Sequence, residues 1–432
     1  MTETVQVTMY DVGFGDCFLL QFPRGNDPPF RVLVDCGAHR SGYPSEGWKP
    51  ESTVDQIIAD VAGGDGEANL DVVVATHRHE DHVSGFRAPA WSNVRVGEVW
   101  MPWTENPKDE KAAEIRNRQS RLAVGLTYAF NGQGFGARWS NANAAEALRA
   151  MVANSLTNEA AMRTLHRGFR GQPMRRFLSA DDQRTIRPDT CTELTIYVLG
   201  PSRDPEVIRD MDPPSGQSYL RFIPPDAENG GQSSDPTGEP SMSVHKPFAR
   251  NFTLAPEEYE AHAQGPEEEK RGPIAEESIK DAASSFMRDD DISAAVSLDK
   301  AVNGTSLMLM FEFRSAFLLF PGDAQWGTWN FALREQATKE MLARTTFYKI
   351  GHHGSHNATP VDFLAKTLGE GRKIWCAAAS VRPISFWPEI PREPLLDAMR
   401  SHADRVVRSD QPGSSGKGVS VRSGSVEFLV PC

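Results

Sequence analysis

The chain has 432 residues, 39% apolar or aromatic and 24% charged, with 35 glycines and 30 prolines. That mix belongs to a loop-rich globular protein and excludes collagen-like, wholly disordered and disulfide-scaffold classes. Lysine and arginine number 46 against 58 acids, a net charge of −12, so bulk attraction does not hold it to duplex DNA and phosphate chemistry must work through bound cations or a local basic patch.

In chain order, VQVTMYDVG, CFLLQF and FRVLVDCG read as short strands stopped by Gly, Pro or Asp. VDQIIADVA (54–62) has helical spacing. LDVVVATH (70–77) is a continuous apolar run, as in a strand buried on both faces, and VGEVWMPW ends a last strand near Trp103. Residues 105–190 are rich in Ala, Leu, Arg and Glu and read as a helical, Arg-rich insertion around a glycine-rich break, NGQGFGARW. CTELTIYVLGPS returns to strand, making 191–202 a core strand, and 203–300 reads as a loop-rich acidic insertion. Strands and helices resume over 301–432 in SLMLMFEF, FLLFPGD, FYKIGHHG, KIWCAAAS, VSVRSG and VEFLVPC. The expected organisation is a layered α/β (α+β) core whose halves, 1–104 and 301–432, are separated by these insertions. No apolar run is long enough to span a bilayer, and the N-terminal segment has no secretory pattern. Five scattered cysteines without a CxxC pair suit a reduced, cytoplasmic chain with no membrane partner. Nothing in the sequence speaks to oligomeric state.

Chemistry concentrates in Thr76-His77-Arg78-His79-Glu80-Asp81-His82, directly after the buried strand. Three of the 11 histidines fall in one six-residue window. His77 and His79 alternate, so both can face one ion from an extended loop, while Asp81 and His82 turn towards a second position. Imidazole and carboxylate are ligands of divalent Zn²⁺, Mn²⁺ or Fe²⁺. Two such ions about 3.5–4 Å apart would share a hydroxide for in-line displacement at phosphorus. The bland alternative, a polar surface cluster, does not account for that concentration of histidine.

The HxHxDH run, together with Asp35 of VLVDCG, Asp323 of FLLFPGD and the histidines of KIGHHGS, resembles the metallo-β-lactamase-fold hydrolases. DVGFGDCFLL, NGTSLMLMF, LLFPGD and KIGHHGSHNAT, spanning 9–86 and 303–360, resemble the corresponding domain of ComEC-type competence DNA-uptake proteins. Choline-phosphate esterases share the GD…HHG pattern. The resemblance implies an αββα sandwich of two mixed sheets with helices outside and a metal cleft at one edge. It implies that His77, His79, Asp81, His82, Asp323 and His353 hold one or two divalent metal ions (Zn²⁺ or Mn²⁺, or Mg²⁺), with Asp35 orienting ligands from behind. Asp81 or His352 would handle the proton while a metal-bound hydroxide attacks a phosphodiester of DNA, RNA or a nucleotide. Spacing alone leaves open which of His352 and His353 is the ligand; the resemblance favours His353.

One element of the family pattern is missing. Members place a third histidine for the first metal after the strand that here reads LTIYVLGPSRD, and none is present. The nearest candidates are His166 and His245. The first site is therefore expected to be a two-histidine site completed by Asp, Ser or water, which favours Mn²⁺ or Mg²⁺ over tight zinc.

Asp16 of GFGDC reads as hydrogen-bonding loops near the metals or as a simple turn carboxylate, Lys349 as meeting a phosphate or as a snorkelling strand lysine, Ser355 as meeting substrate, His356 as a loop histidine with solvation as its bland alternative, and Asn303 and Ser306 as serving a turn or cap. Seven arginines between Arg163 and Arg187, against Asp181 and Asp182, reverse the sign of charge locally. With His166, Phe169 and Phe177 interleaved they could line a nucleic-acid or nucleotide groove, Arg175 and Arg176 foremost. Pairing of these arginines with nearby acids is the competing reading. The activity expected is a metal-dependent phosphodiesterase or nuclease; the alternatives are a small ester, lactone or choline-phosphate hydrolase, and a degenerate metal-binding scaffold or sensor.

Overall fold

The computed structural model describes residues 3–131, 152–154, 158–214, 216–219, 291–368, 373–385, 387 and 389–432. The glycine-rich break after Asn131, most of the acidic insertion, and His245 lie outside them. Fifteen strands are present among the described residues: β1 Thr4–Tyr10, β2 Cys17–Arg24, β3 Asp27–Cys36, β4 Asn69–Val74, β5 Arg95–Pro102, β6 Met174–Leu178, β7 Thr185–Ile186, β8 Leu194–Gly200, β9 Met308–Phe313, β10 Ala316–Phe320, β11 Phe347–Lys349, β12 Cys376–Ala379, β13 Val406–Arg408, β14 Val419–Arg422 and β15 Ser425–Pro431. They form two mixed sheets, ordered β14-β15-β1-β2-β3-β4-β5-β6 and β13-β12-β11-β10-β9-β8-β7. In each sheet one part is antiparallel and the other, β3 to β6 or β10 to β13, is parallel.

Strand residues alternate between two cores, as the two-residue period of a pleat requires. Val5, Val7, Phe18, Phe22, Val32 and Val72 of the first sheet share one buried cluster with Ile196, Leu309, Phe311, Leu318 and Phe320 of the second, so the sheets face each other. The opposite face of the first sheet (Leu19, Leu33, Val73) packs on α1 (Pro50–Val61) through Val54, Ile57 and Val61. The opposite face of the second sheet (Met308, Met310, Leu319) shares a cluster with Trp329 and with Leu395, Leu396 and Met399 of the C-terminal helix Glu393–His402. Strand β4 lies between two parallel neighbours with Val72, Val73 and Val74 all buried, the arrangement its unbroken apolar run predicts.

The stretch 105–190, read as a helical insertion around a glycine-rich break, also contributes strands. Glu110–Asn131 and Glu159–Arg163 are helices, but Met174–Leu178 and Thr185–Ile186 are the edge strands β6 and β7. Edge strands carry charged side chains that discourage pairing with other chains, so Arg175 and Arg176 hide a strand behind a basic run.

The parallel strands position the site. Asp35 lies near the end of β3, the HRHEDH loop follows β4, Asp323 follows β10, and His352 follows β11. Carboxyl ends of parallel strands are where loops can place polar groups without breaking the ladder.

Candidate metal centre

The loops meet backbone to backbone. A Cβ on Gly37 would lie 2.4 Å from the His82 backbone, and one on Gly15 would lie 2.3 Å from the Gly37 carbonyl, so only glycine lets these loops approach. Asp16 N–H donates to the Asp81 carbonyl (2.9 Å) and Gly37 N–H to the Asp16 carbonyl (3.0 Å). These are backbone bonds; the Asp16 carboxylate itself ion-pairs with Lys349.

Four side chains converge: one ligand atom each from Asp81, His82, Asp323 and His353 lie within 4.8 Å of one another, all buried. His353 Nε2 is 3.1 Å from Asp81 Oδ2, and His82 Nε2 is 3.2 Å from Asp323 Oδ2. The other nitrogen of each ring is committed elsewhere. His353 Nδ1 lies 2.9 Å from the Ser380 carbonyl, which only accepts, so that nitrogen carries a proton. His82 Nδ1 lies 2.9 Å from Asp35 Oδ2. Asp35 in turn accepts from Thr76 N–H and Thr76 Oγ1, both at 2.7 Å. In their neutral forms, His82 and His353 therefore aim Nε2 lone pairs at carboxylate oxygens. Acceptors facing acceptors in a dry site need a cation or extra protons between them.

Electrostatics agrees. Burial disfavours charged His82, but Asp323, Asp81 and Asp35 more than offset this and hold its pKa well above the ordinary imidazole value. His353 is likewise raised, burial being outweighed by its hydrogen bond to Asp81 and by Asp16 and Asp323. Asp81 and Asp323 are held well below the usual carboxylate range, because His82 and the neighbouring imidazoles overcome the cost of burial. Burial raises Asp35 despite His82.

The other two loop histidines sit differently. His77 Nε2 and His79 Nδ1 are 3.1 Å apart. His77 is pushed well down by burial and by His82 and His79, and His79 is pushed down to about 4, mainly by burial. Among the described residues no Asp, Glu, Cys or further His joins this pair in a three-ligand group. His166, the described candidate for a third histidine, stacks instead on Phe177 at 6.0 Å.

The HHG turn separates its two histidines. His352 and His353 have φ of 44° and 50°, and Asp35 one of 57°. Such left-handed conformations cost about 1–3 kcal/mol each and persist where the surroundings enforce them. The turn sends His353 into the cluster, fully buried, and leaves His352 20% exposed in a cavity wall. That cavity, about 120 Å³, is lined by His79, Asp81, Asp323, His352 and Ser355, with Phe14 and Trp387 on its apolar side. Ser355 thus reaches the expected cavity, where its hydroxyl donates to Asn357 Oδ1 (2.7 Å).

Other expectations are corrected. Lys349 does not face the cavity: it is buried, ion-paired with Asp16 and 3.8 Å from Asp323 Oδ1. His356 is half-buried in the cavity wall and pushed down to about 4 by burial, not solvated. Ser306 does more than cap a turn, since its hydroxyl accepts from Asp323 N–H (3.2 Å). Glu80 turns away from the cluster to Arg40 (2.9 Å) and Arg87 (3.4 Å).

Four of the seven arginines are engaged in structural pairing. Arg176 is bidentate on Glu98 (2.6 and 2.9 Å), Arg170 pairs with Glu67 and Arg184 with Glu335. Arg175 donates to the backbone carbonyls of Leu165 and Pro173. Arg176 borders a groove lined by the beginnings of β4 and β5, whereas the histidine loop follows the end of β4. The structure brings neither Arg175 nor Arg176 to the cluster.

Three groups near the site were missed by the sequence reading. Asp299 Oδ1 is 3.7 Å from His79 Nε2, and its pKa is pushed up to about 8 by burial and by Asp81 and Asp323. Asn154 Oδ1 accepts from Glu80 N–H (2.8 Å), and Asn158 Nδ2 donates to the Arg78 carbonyl (2.6 Å), so the insertion buttresses the histidine loop. Asp and Asn in or beside a helix read as caps, and nothing local in the sequence distinguishes these. No family model matches the chain, and the search of curated proteins returns no significant match.

Proposed function

We propose that the protein is a metal-dependent hydrolase of the metallo-β-lactamase fold, resembling the ComEC-type domain, and that it cleaves phosphodiesters in DNA, RNA or a nucleotide. The observation that carries this is the convergence of Asp81, His82, Asp323 and His353 on one buried point with each ring's other nitrogen already bonded. The two sheets facing each other between helical layers, with the cluster at the strand ends, support the αββα reading.

The donor set fits a divalent cation: two imidazole nitrogens and two carboxylate oxygens match Zn²⁺ or Mn²⁺, with Mg²⁺ acceptable to the oxygens. The chemistry such a cation supplies when bound is polarisation of a phosphoryl oxygen and ionisation of water near neutral pH. Asp35 and the Ser380 carbonyl orient His82 and His353 so that their Nε2 atoms present lone pairs. Asp81 and Asp323 bring the negative charge that balances a cation. His352 acts from the cavity wall: its Nδ1 lies 3.3 Å from Asn357 Oδ1, which leaves Nε2 facing the cavity. Burial lowers its pKa, so Nε2 is free at neutral pH to take a proton and return it to the leaving group.

A second reading, a small phosphocholine-type ester as substrate, is favoured by the cavity itself. Its volume of about 120 Å³ suits a small group. Phe14 and Trp387, with ring centroids 5.4 Å apart, and the nearby Glu389 offer an aromatic and acidic wall to a quaternary ammonium.

The test is hydrolysis by protein stripped of metal and reloaded with Mn²⁺, Mg²⁺ or Zn²⁺. Substrates are bis-p-nitrophenyl phosphate, single-stranded DNA, plasmid, RNA, glycerophosphocholine and p-nitrophenyl acetate. Metal-dependent phosphodiester cleavage, absent in Asp81→Ala/His82→Ala, is the expected result. Turnover of the carboxyl ester alone, or metal bound with no turnover of any substrate, overturns it.

A further inference from the structure

We propose that Lys349 is a positioning residue of the candidate metal centre: its ammonium is a fixed internal cation that clamps the Asp16 carboxylate behind both cluster imidazoles and steadies Asp323 in front of them. The inference rests on the metal-dependent reading above and adds how the ligands are held.

The strand puts the lysine there. Phe347 of β11 belongs to the core between the sheets and Tyr348 to the core on the outer face, so the two-residue period turns Lys349 back between the sheets. It is 2% exposed and the only buried lysine among the described residues. Its head is withheld from water, and a dry ammonium needs carboxylates around it. Asp16 Oδ2 is its ion-pair partner, and Asp323 Oδ1 lies 3.8 Å away.

Asp16 is the half of the pair that meets the rings. Its Oδ2 is 3.5 Å from His82 Nδ1 and its Oδ1 is 3.8 Å from His353 Nδ1. Each of those nitrogens has a nearer acceptor, Asp35 for His82 and the Ser380 carbonyl for His353. A further negative charge behind them favours the proton on Nδ1, and so the lone pair on Nε2, which faces the cluster. Yet neither Asp16 carboxylate oxygen has a hydrogen-bond partner among the described residues. The ion pair with Lys349 is therefore what holds this carboxylate in place.

Asp323 is held from the other side. Its Oδ1 accepts from His352 N–H (3.1 Å) and faces Lys349, which leaves Oδ2, 3.2 Å from His82 Nε2, to the cluster. Asp16, Asp35 and His82 also have ligand atoms within 4.8 Å of one another. Through Asp16, Lys349 supplies this second group with a positive charge that cannot dissociate, so it needs no exchangeable ion.

Asp16→Asn/Lys349→Met removes the ion pair without changing the net charge of the site, and so separates positioning from bulk electrostatics. Metal-stripped full-length protein is titrated with Mn²⁺, followed by electron paramagnetic resonance, and the melting temperature of the metal-free form is read alongside. The tightest Mn²⁺ site is expected to weaken about 10–100-fold in the double variant. A merely structural role would lower the melting temperature and leave that affinity alone. Wild-type affinity in the folded double variant overturns the inference while leaving the hydrolase reading standing; no Mn²⁺ bound by wild type removes both. Should the double variant fail to fold, nuclear magnetic resonance of wild type carrying isotope-labelled lysine decides. A lysine ammonium protected from exchange with water at neutral pH, and broadened by one equivalent of Mn²⁺, is the expected result. No protected ammonium, or one that Mn²⁺ leaves sharp, overturns the inference.

Discussion

The two imidazole pairs of the site are equally buried yet titrate in opposite directions. His82 and His353 face Asp323 and Asp81 and are raised, whereas His77 and His79 face each other and are lowered. Three of the four rings come from one loop, so residue type and local sequence do not account for the difference. What decides it is whether a carboxylate from a distant strand end reaches the ring. The histidine loop therefore presents one position flanked by Asp81 and Asp323 and one where the imidazoles face each other, and on the proposed metal-dependent reading the two should differ in affinity and in response to pH.

The comparison breaks most severely if its charged half is removed. Asp81→Ala/His82→Ala should abolish phosphodiester turnover and remove the tighter equivalent of metal, read by elemental analysis alongside the assay. Activity that survives with metal still bound would show that the charged half is not the catalytic one.

Next in size is the support behind His82. Asp35→Asn replaces the carboxylate that accepts from His82 Nδ1 with a group that can also donate. The tighter metal affinity should fall about 10–100-fold while the melting temperature of the metal-free protein changes little by comparison. Unaltered affinity would mean that the ring is oriented by packing alone.

The pH dependence sharpens the contrast further. Raised folded-state values mean that protonated His82 and His353 stabilise the metal-free chain fully below the ordinary imidazole pKa, about 6.5, and that this contribution is lost as pH rises through the raised values. A cation takes the same lone pairs, so its contribution grows over that window. The gain in melting temperature on adding Mn²⁺ should be larger at pH 8 than at pH 6. An equal gain at both, by differential scanning fluorimetry, would place the cation away from these rings.

The smallest effect belongs to the arginine stretch. Arg176 and Glu98 are about a quarter exposed, and such pairs contribute roughly 0–1 kcal/mol. Arg176→Met should leave turnover of every phosphodiester unchanged, with stability shifted by no more than that. A loss of nucleic-acid cleavage without loss of bis-p-nitrophenyl phosphate cleavage would restore the basic stretch to a substrate-binding role.

Much of the site was legible because its parts are local patterns tied to strand ends. The run of Val72 to Val74 announces a buried strand, and the histidines follow it directly; Asp323 follows FLLF in the same way. The missed parts depend on distance. Asp299 and Asn303 look like ordinary helix-end residues until the fold sets them against His79 and His352. Lys349 and Arg176 look available for phosphate until Asp16 and Glu98 arrive from other strands. The edge strand β6 was obscured by the charges that suit it to an edge.

By itself the sequence determined the inventory: which donors exist, and that they follow buried strands. The tertiary structure alone decided which nitrogen of His82 and of His353 faces the cluster. A tautomer is set by the acceptor at the ring's far side, and those acceptors, Asp35 for His82 and the Ser380 carbonyl for His353, come from elsewhere in the chain.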